Sequence, residues 1–335
     1  MFIVRSVQLS DIDDLHRLSK LVTLINLPSD KYELEKKIIS SVNSFKKPSK
    51  KLEDNYYIFI LMNLETNKII GASMIHGKHG TPKEPHFYLK VGREHKLSTS
   101  LNTGFIHGTL KFGMETDGYT EIGGLILAPE YRGHPEKLGK LLSFARFHYI
   151  GQNPEHFTDY IHSELLPPFD KNGNSPLWEA IGRPFLNLDY HDADKLSRDN
   201  KEFITSLYPI DTIYEALLPI EARNAIGKVG KETEPVKRML ESIGFRYIEE
   251  VDPFDGGPHF RAPKDEIKLI KEQRVLKLKL TDDDQGEERF LVSIKHQDHS
   301  FFSFCLSGTI ENDTLITSNK SINLKQGQEA IAFPL

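Results

Sequence analysis

The sequence predicts an α+β protein: a long mixed α/β stretch followed by a small all-β C-terminal domain. Three observations predict it. Apolar β-branched runs alternate with amphipathic helical stretches as far as about residue 262. From about Glu266, FLVSIKH, FFSFCLSG, DTLITS and EAIAFP read as short strands at close spacing with turn residues between them. The run PLWEAIG followed by Phe185 resembles LESIG followed by Phe245, and both read as helix–Gly–strand junctions. Either they close two related halves, or they are junctions that any α/β chain could produce.

The elements follow in order. Phe2–Val7 is apolar and β-branched, a strand. Ser10-Asp11 caps a helix to about Leu21, with Leu15, Leu18, Leu21 and Val22 on one stripe. Residues 32–45 form a second amphipathic helix, ending near the solvated segment KKPSKKLEDN. Tyr56–Met62 and Lys68–Ile75 are strands joined by a hairpin signal at Asn63–Asn67. Segment 76–104, rich in Gly, His and Pro, reads as irregular with one strand near 86–92. A strand at 121–127 leads into a helix over 137–150. Tyr160–Leu165 and Phe185–Leu188 read as strands, with a short helix at Ser175–Ile181 between them. Helices follow at Lys201–Leu207, Pro219–Ile226 and Glu234–Ile243, then a strand at Phe245–Glu250. Residues 282–288, DDDQGEE, are an exposed loop of the β-rich tail.

Composition limits the function. In 335 residues, 38% hydrophobic and 27% charged side chains suit a soluble chain able to bury a core. Lys plus Arg number 43 against 48 Asp plus Glu, a formal charge of −5, which argues against a nucleic-acid partner held by phosphate neutralisation. The single cysteine, Cys305, excludes an internal disulfide framework and reads as a strand packing residue. MFIVRSVQLSDIDDL lacks a signal pattern and no apolar run approaches the ~20 residues of a membrane span, so no membrane partner and a cytoplasmic location are expected. His76, His79, His86 and His95 fit no metal spacing, and no metal is expected.

LILAPEYRGHPEKLGKLLSFARFH, residues 125–148, carries the most chemistry. An apolar strand reaches Ala128-Pro129, a charged Gly-containing loop follows, and helical periodicity resumes through Leu141, Leu142, Ala145 and Tyr149. Such a junction aims free backbone N–H groups at one point, and the helix N-terminus adds about half a positive charge. A pyrophosphate is its natural ligand, with Arg132 and Lys137 supplying charge-assisted bonds and glycine allowing close approach. Neither G-x-x-x-x-G-K-[ST] nor G-x-G-x-x-G is present, so the stretch alone also fits an ordinary strand–helix connection.

The strand ending L-x-P-x-Y-R, the glycine loop and G-K-L-L resemble the acyl-CoA N-acyltransferase (GNAT-type) superfamily. More narrowly, the chain resembles arginine N-succinyltransferases. The resemblance is carried by Val4-Arg5 with Asp11, Leu27-Pro28, Val91-Gly92 with Leu101-Asn102, Glu121, Pro129 and Leu141-Leu142-Ser143. It continues through Gly173, Ser175-Pro176 and Trp178, then Ile213-Tyr214, Ile226-Gly227, Gly244-Phe245-Arg246-Tyr247 and Phe254-Asp255-Gly256-Gly257-Pro258. The resemblance implies two GNAT-like mixed α/β halves, 1–158 and 159–262, plus the small C-terminal all-β domain, 263–335. It implies succinyl-CoA as co-substrate, with no permanently bound cofactor, and the α-amine of arginine as acceptor. A homo- or hetero-oligomer is expected. The CoA contact at the strand end falls on Leu125, and the full acyl-CoA set on Leu125, Ile126, Leu127, Arg132, Gly133, Gly139 and Lys140.

The chain departs from that pattern at four places. The family's Val-His-Pro-x-Thr-x-Pro stands here as VGKETEP, so Gly230 replaces the proton-donating His. Leu166 replaces the Arg of Glu-[Met/Leu]-Arg-Gly, and with it a bidentate carboxylate partner. PIDTIY replaces Pro-Lys-His-Pro-Ile-Tyr, and the phosphate loop is two residues longer with only Gly139 of the usual Gly-x-Gly. The remaining candidates for proton transfer are Glu164, His162, which shares a strand face with it, and Tyr214 as donor to a leaving thiolate. The departures leave open a different acyl-CoA or amine, or a catalytically silent subunit or scaffold.

Overall fold

In chain order the strands and helices come in runs rather than in strict alternation. β1 (Phe2–Ser6), α1 (Ile12–Ser19), α2 (Lys31–Lys46), β2 (Tyr56–Asn63) and β3 (Lys68–His79) come first, then the long strands β4 (His86–Ser98), β5 (Thr103–Glu115) and β6 (Tyr119–Leu127). α3 (Leu138–Gln152), β7 (Tyr160–Glu164), α4 (Arg183–Leu186), α5 (Tyr190–Ser197), α6 (Glu202–Leu207), β8 (Ile213–Tyr214), α7 (Ile220–Ala225) and α8 (Glu234–Glu241) follow. β9 (Arg246–Val251), β10 (Pro258–Pro263), α9 (Lys268–Lys271) and β11 (Arg274–Leu280) lead to β12 (Arg289–Ser293), β13 (Phe302–Ser307), β14 (Thr309–Glu311), β15 (Thr314–Thr317) and β16 (Glu329–Pro334). This computed structural model describes residues 1–21, 27–197, 200–283, 286, 288–318, 322 and 324–335. Val22 of the expected α1 stripe and residues 284, 285 and 287 of the expected acidic loop lie outside the described residues. No helix among the described residues is long and apolar enough to cross a membrane.

Two compact units form, and neither is contiguous. The first holds residues 1–78, 120–159 and 263–335; the second holds 79–119 and 160–262. The segment 263–335 is therefore part of the first unit rather than a domain of its own, and 79–119 leaves the N-terminal segment for the second unit. The physical reason lies in strand pairing: β13 lies antiparallel beside β1, with Ile3 opposite Phe304 and Arg5 opposite Phe302. In the first unit the strand order is β14-β15-β11-β16-β12-β13-β1-β2-β3-β6. Its core has two parts. Leu15, Leu18, Leu34, Ile38, Ile58 and Ile126 pack under α1 and α2, while Ile3, Leu276, Phe290, Phe304 and Leu315 pack in the tail.

The second unit has the order β7-β10-β9-β4-β5-β8. β4 and β5 pair over their whole length, from His86 opposite Glu115 to Ser98 opposite Thr103. The sequence concealed this hairpin because its tip carries Leu97, Phe105 and Ile106 to the surface, which removes the in–out alternation that marks a strand. Trp178 lies at the centre of this unit's core, stacked on Phe254 with centroids 4.8 Å apart.

The two helix–Gly–strand junctions are not equivalent. Gly244 has φ +113° and ends α8. Gly182 has φ −67° and sits inside a π-helical turn, Trp178–Gly182, that runs on into α4, so the expected strand over 185–188 is absent. A Cβ at Gly182 would lie 2.2 Å from the Trp178 ring, so this glycine makes room for the indole instead of ending a helix.

Candidate functional site

The first site is built at the end of β6. That strand buries Thr120, Ile122, Gly124 and Ile126 and leaves Leu125 and Leu127 half-buried. Gly124 adopts φ +55°, and the Arg146 guanidinium, itself buried, donates to the carbonyl of Gly123 at 3.2 Å. The ladder to β3 extends to the strand end, where the Ala128 N–H donates to the Ile70 carbonyl at 2.8 Å. After a turn at Pro129–Tyr131, Arg132 Nε reaches the Leu127 carbonyl at 3.4 Å and Gly133 takes φ +72°. Lys137 begins α3 in a left-handed conformation and supplies no side-chain acceptor for the helix N-terminus. Of the first-turn N–H groups, that of Lys140 donates to the Lys137 carbonyl at 2.9 Å, which leaves those of Leu138 and Gly139 for an anion. A Cβ at Gly139 would meet nothing within 4 Å, so the approach to that turn is open.

Positive charge gathers there. Burial and the neighbouring Lys137 and Arg289 hold the Lys140 ammonium below its usual pKa, and its Nζ lies 5.1 Å over the Phe144 ring. Arg289 on β12 donates to the Glu136 carbonyl at 3.3 Å, tying the loop to the β-rich tail. Sequence reading missed Arg289, which lies 153 positions away in the chain. Burial pushes the Cys305 thiol up to about 11, which suits a packing residue.

The second site lies in the second unit. His162 and Glu164 share a face of β7, and His162 Nε2 stands 3.8 Å from Glu164 Oε1. His86 on β4 brings its Nδ1 to 3.4 Å from the same oxygen, and His259 on β10 completes the group. The three imidazoles pack with centroids 4.9–5.1 Å apart. His86, His162 and His259 are buried, and among the described residues Nε2 of His86 and both ring nitrogens of His162 and His259 have no hydrogen-bond partner. An orphaned buried polar atom costs about 1–3 kcal/mol, so a fold that keeps five has a use for them or water between them. Burial drives the pKa of His86 well below its usual value and that of His259 down to about 3, so both imidazoles are neutral near pH 7. The sequence missed His86 as a partner of His162 and missed His259 entirely, because the ligand atoms come from strands far apart in the chain.

Acidic groups lie in the same unit. Asp252, half-buried, and Asp255, buried, lie in the β9–β10 turn, where Asp252 Oδ1 accepts from the N–H groups of Phe254 and Asp255 at 2.7 and 3.0 Å. Burial, with Glu164 nearby, raises Asp252 to about 7, and burial with Asp252 raises Asp255 well above the usual carboxylate range. Tyr214 is not brought to His162 and Glu164. It lies on β8, at the opposite end of the strand order from β7, and its hydroxyl donates to Glu94 while its ring meets His107.

Comparison with known proteins decides the family. The family model described as "Arginine N-succinyltransferase beta subunit" matches residues 2–269. The chain belongs to the arginine N-succinyltransferase family. The arginine N-succinyltransferase subunit beta of Pseudomonas aeruginosa is 32% identical over 99% of this chain and 98% of its own length. The arginine N-succinyltransferase of Yersinia enterocolitica is 32% identical over 89% of this chain and 87% of its own. The solved structure of arginine/ornithine succinyltransferase subunit AI from Pseudomonas aeruginosa superposes with a TM-score of 0.84 at 24% identity, covering 100% of this chain and 98% of that one, which shows a shared mixed α/β fold.

Against the family pattern, two of the departures meet in space. The Gly230 N–H donates to the Leu166 carbonyl at 2.9 Å, and a Cβ at 230 would lie 2.9 Å from the Pro167 carbonyl oxygen. The glycine at 230 and the Leu166-Pro167 segment form one local packing unit, so a histidine at 230 would require that backbone to move.

Proposed function

We propose that the chain is a CoA-dependent N-acyltransferase that moves a succinyl group from succinyl-CoA to the α-amine of arginine. The observation that carries this reading is family membership over nearly the full chain length, at 32% identity to an arginine N-succinyltransferase subunit. The open N-terminal turn of α3 beside Lys137, Lys140 and Arg289 supports it as a seat for the CoA pyrophosphate. Leu125, Ile126 and Leu127 offer strand-end backbone to the pantetheine arm. Glu164 supplies an acidic group for a cationic acceptor.

The chemistry is direct transfer. The neutral amine attacks the thioester carbonyl, the tetrahedral oxyanion collapses, CoA leaves as thiolate, and the proton lost by nitrogen is free to neutralise sulfur. Glu164, with His162 3.8 Å away, is the pair proposed to accept the amine proton. Tyr214, engaged by Glu94, has no counterpart in that pair. Two solved or sequenced relatives carry subunit designations in their names, and an oligomer is proposed here, to be read by light scattering.

The test is thiol release from succinyl-CoA with L-arginine, with the product identified by a mass increase of one succinyl group. A second reading, a different acyl-CoA or amine, is favoured by Leu166 and the tight backbone at Gly230. It predicts little turnover of that pair and turnover elsewhere in a panel of acyl-CoAs and cationic amines. Absence of thiol release across the whole panel overturns both readings and leaves a silent subunit.

A further inference from the structure

We propose that His86, His162, Glu164 and His259 form a binding site for a divalent transition ion of the zinc class. The four side chains place one ligand atom each within 4.8 Å of one another, all in the second unit. The proposal stands on this geometry and does not depend on the acyl-transfer reading.

Four features support it. The donor set, three imidazoles and one carboxylate, is the chemistry that holds zinc and its neighbours and holds magnesium or calcium poorly. The spacing is close to closure. Ligand bonds of about 2.0–2.1 Å put tetrahedral donors about 3.3 Å apart, and His86 Nδ1 already stands 3.4 Å from Glu164 Oε1. The 3.8 Å from His162 Nε2 to the same oxygen closes by a small side-chain rotation. The three histidines are all buried, their ring centroids lie about 5 Å apart, and both nitrogens of His162 and His259 lack a hydrogen-bond partner among the described residues. Finally, the ligands are held by backbone: β7 and β10 are neighbours in the sheet, and His162 and Glu164 alternate onto one face of β7.

An ion there would take one nitrogen of each ring and leave the second nitrogen of His162 and His259 without a hydrogen-bond partner among the described residues. Metal sites whose ligands lack such outer partners bind about 10–100-fold more weakly, so the ion should yield to a chelator without unfolding the chain. An ion on Glu164 and His162 also withdraws both from proton transfer. Metal occupancy and the proton-accepting role of this pair exclude each other.

The experiment uses the full chain, stripped with chelator, equilibrated with Zn²⁺ or Co²⁺ and gel-filtered. About one equivalent of zinc per chain is expected by elemental analysis, and Co²⁺ should give the strong visible absorption of a low-symmetry nitrogen–oxygen site. Glu164→Gln, whose side chain is one-third exposed, and His259→Gln should each lower zinc retention at least tenfold with unchanged circular dichroism. His95→Gln, on an exposed position, should retain the wild-type content. Failure of the stripped wild-type chain to retain zinc overturns the proposal. So does retention that Glu164→Gln and His259→Gln leave unchanged, since the zinc then sits elsewhere. Thiol release is not measured, so the acyl-transfer reading stands or falls separately.

Discussion

The proposed phosphate seat at 125–140 and the proposed metal site of the second unit would hold their ligands by opposite means. The first uses backbone N–H groups at an open helix start, with Lys137, Lys140 and Arg289 around it. The second uses buried side chains from β4, β7 and β10, with Asp252 and Asp255 in the same unit. A backbone site tolerates side-chain change until a group blocks it. A buried side-chain site depends on the charge state of each member, because burial in low dielectric raises the cost of every charge. The first should therefore respond to steric and charge insertion, and the second unit's carboxylates to pH.

The largest expected effect tests that contrast through stability. Asp252 has a folded pKa of about 7 against 3.8 for the free side chain, so its contribution is full below pH 3.8 and is lost as pH rises through 7. His148 in the first unit, buried with Nε2 3.1 Å from the Ile331 carbonyl, has its pKa lowered from 6.5 to about 4. Its contribution is full above pH 6.5 and is lost as pH falls through 4, roughly 3 kcal/mol. In the wild type the two slopes oppose each other between pH 4 and 6.5. Asp252→Asn keeps an oxygen for the Phe254 and Asp255 N–H groups and removes the charge, so in urea unfolding stability should rise more steeply with pH across that window than in the wild type. His148→Gln should shift the slope the opposite way from the wild type, since His86, His259 and Asp255 titrate in both variants. Matching curves for the two variants would break the contrast.

Next in size is the phosphate seat. Gly139→Glu places a carboxylate in the first turn of α3, where the Cβ has open space and a helix start favours negative charge. The fold should be kept and CoA affinity should fall about 100-fold, ~2.7 kcal/mol, by calorimetry. Unchanged affinity would remove the pyrophosphate from this turn. Arg289→Ala should do less, about five-fold weaker CoA binding with a shallower salt dependence, since one partly screened charge and one loop tether at 3.3 Å are lost.

The two regions also differ in how much of them the sequence discloses. The proposed phosphate seat is local: strand, loop and helix are consecutive, and β6 and α3 form about where periodicity puts them. Only Arg289 was out of reach, since a tail strand supplies it. Of the second site, His162 and Glu164 were legible as an i, i+2 pair, but His86 and His259 were not. They arrive through sheet order, and the β4–β5 hairpin that begins at His86 hid its alternation behind exposed Leu97, Phe105 and Ile106. The joining of 263–335 to the first unit was hidden for the same reason: β1–β13 pairing is a long-range contact that no local pattern encodes.

The smallest expected effect concerns Tyr214, and it separates sequence proximity to a motif from membership of a site. As a proton donor to thiolate, Tyr214→Phe would lower kcat by 10²-fold or more, the usual contribution of a positioned acid. Its hydroxyl instead bonds Glu94, Lys96 lies 5.8 Å from its ring, and β8 is at the far end of the strand order from β7. Removing that hydroxyl loses one hydrogen bond to an exposed carboxylate, worth about 1 kcal/mol of stability, and leaves the Ile213–Tyr214 pairing with Leu110 and Thr109 intact. Phe at 214 should therefore leave kcat within about two-fold and lower the melting temperature by a few degrees. A hundred-fold loss of kcat with unchanged KM would return Tyr214 to the chemistry. It would also show that the sheet's two ends meet in a conformation other than this one.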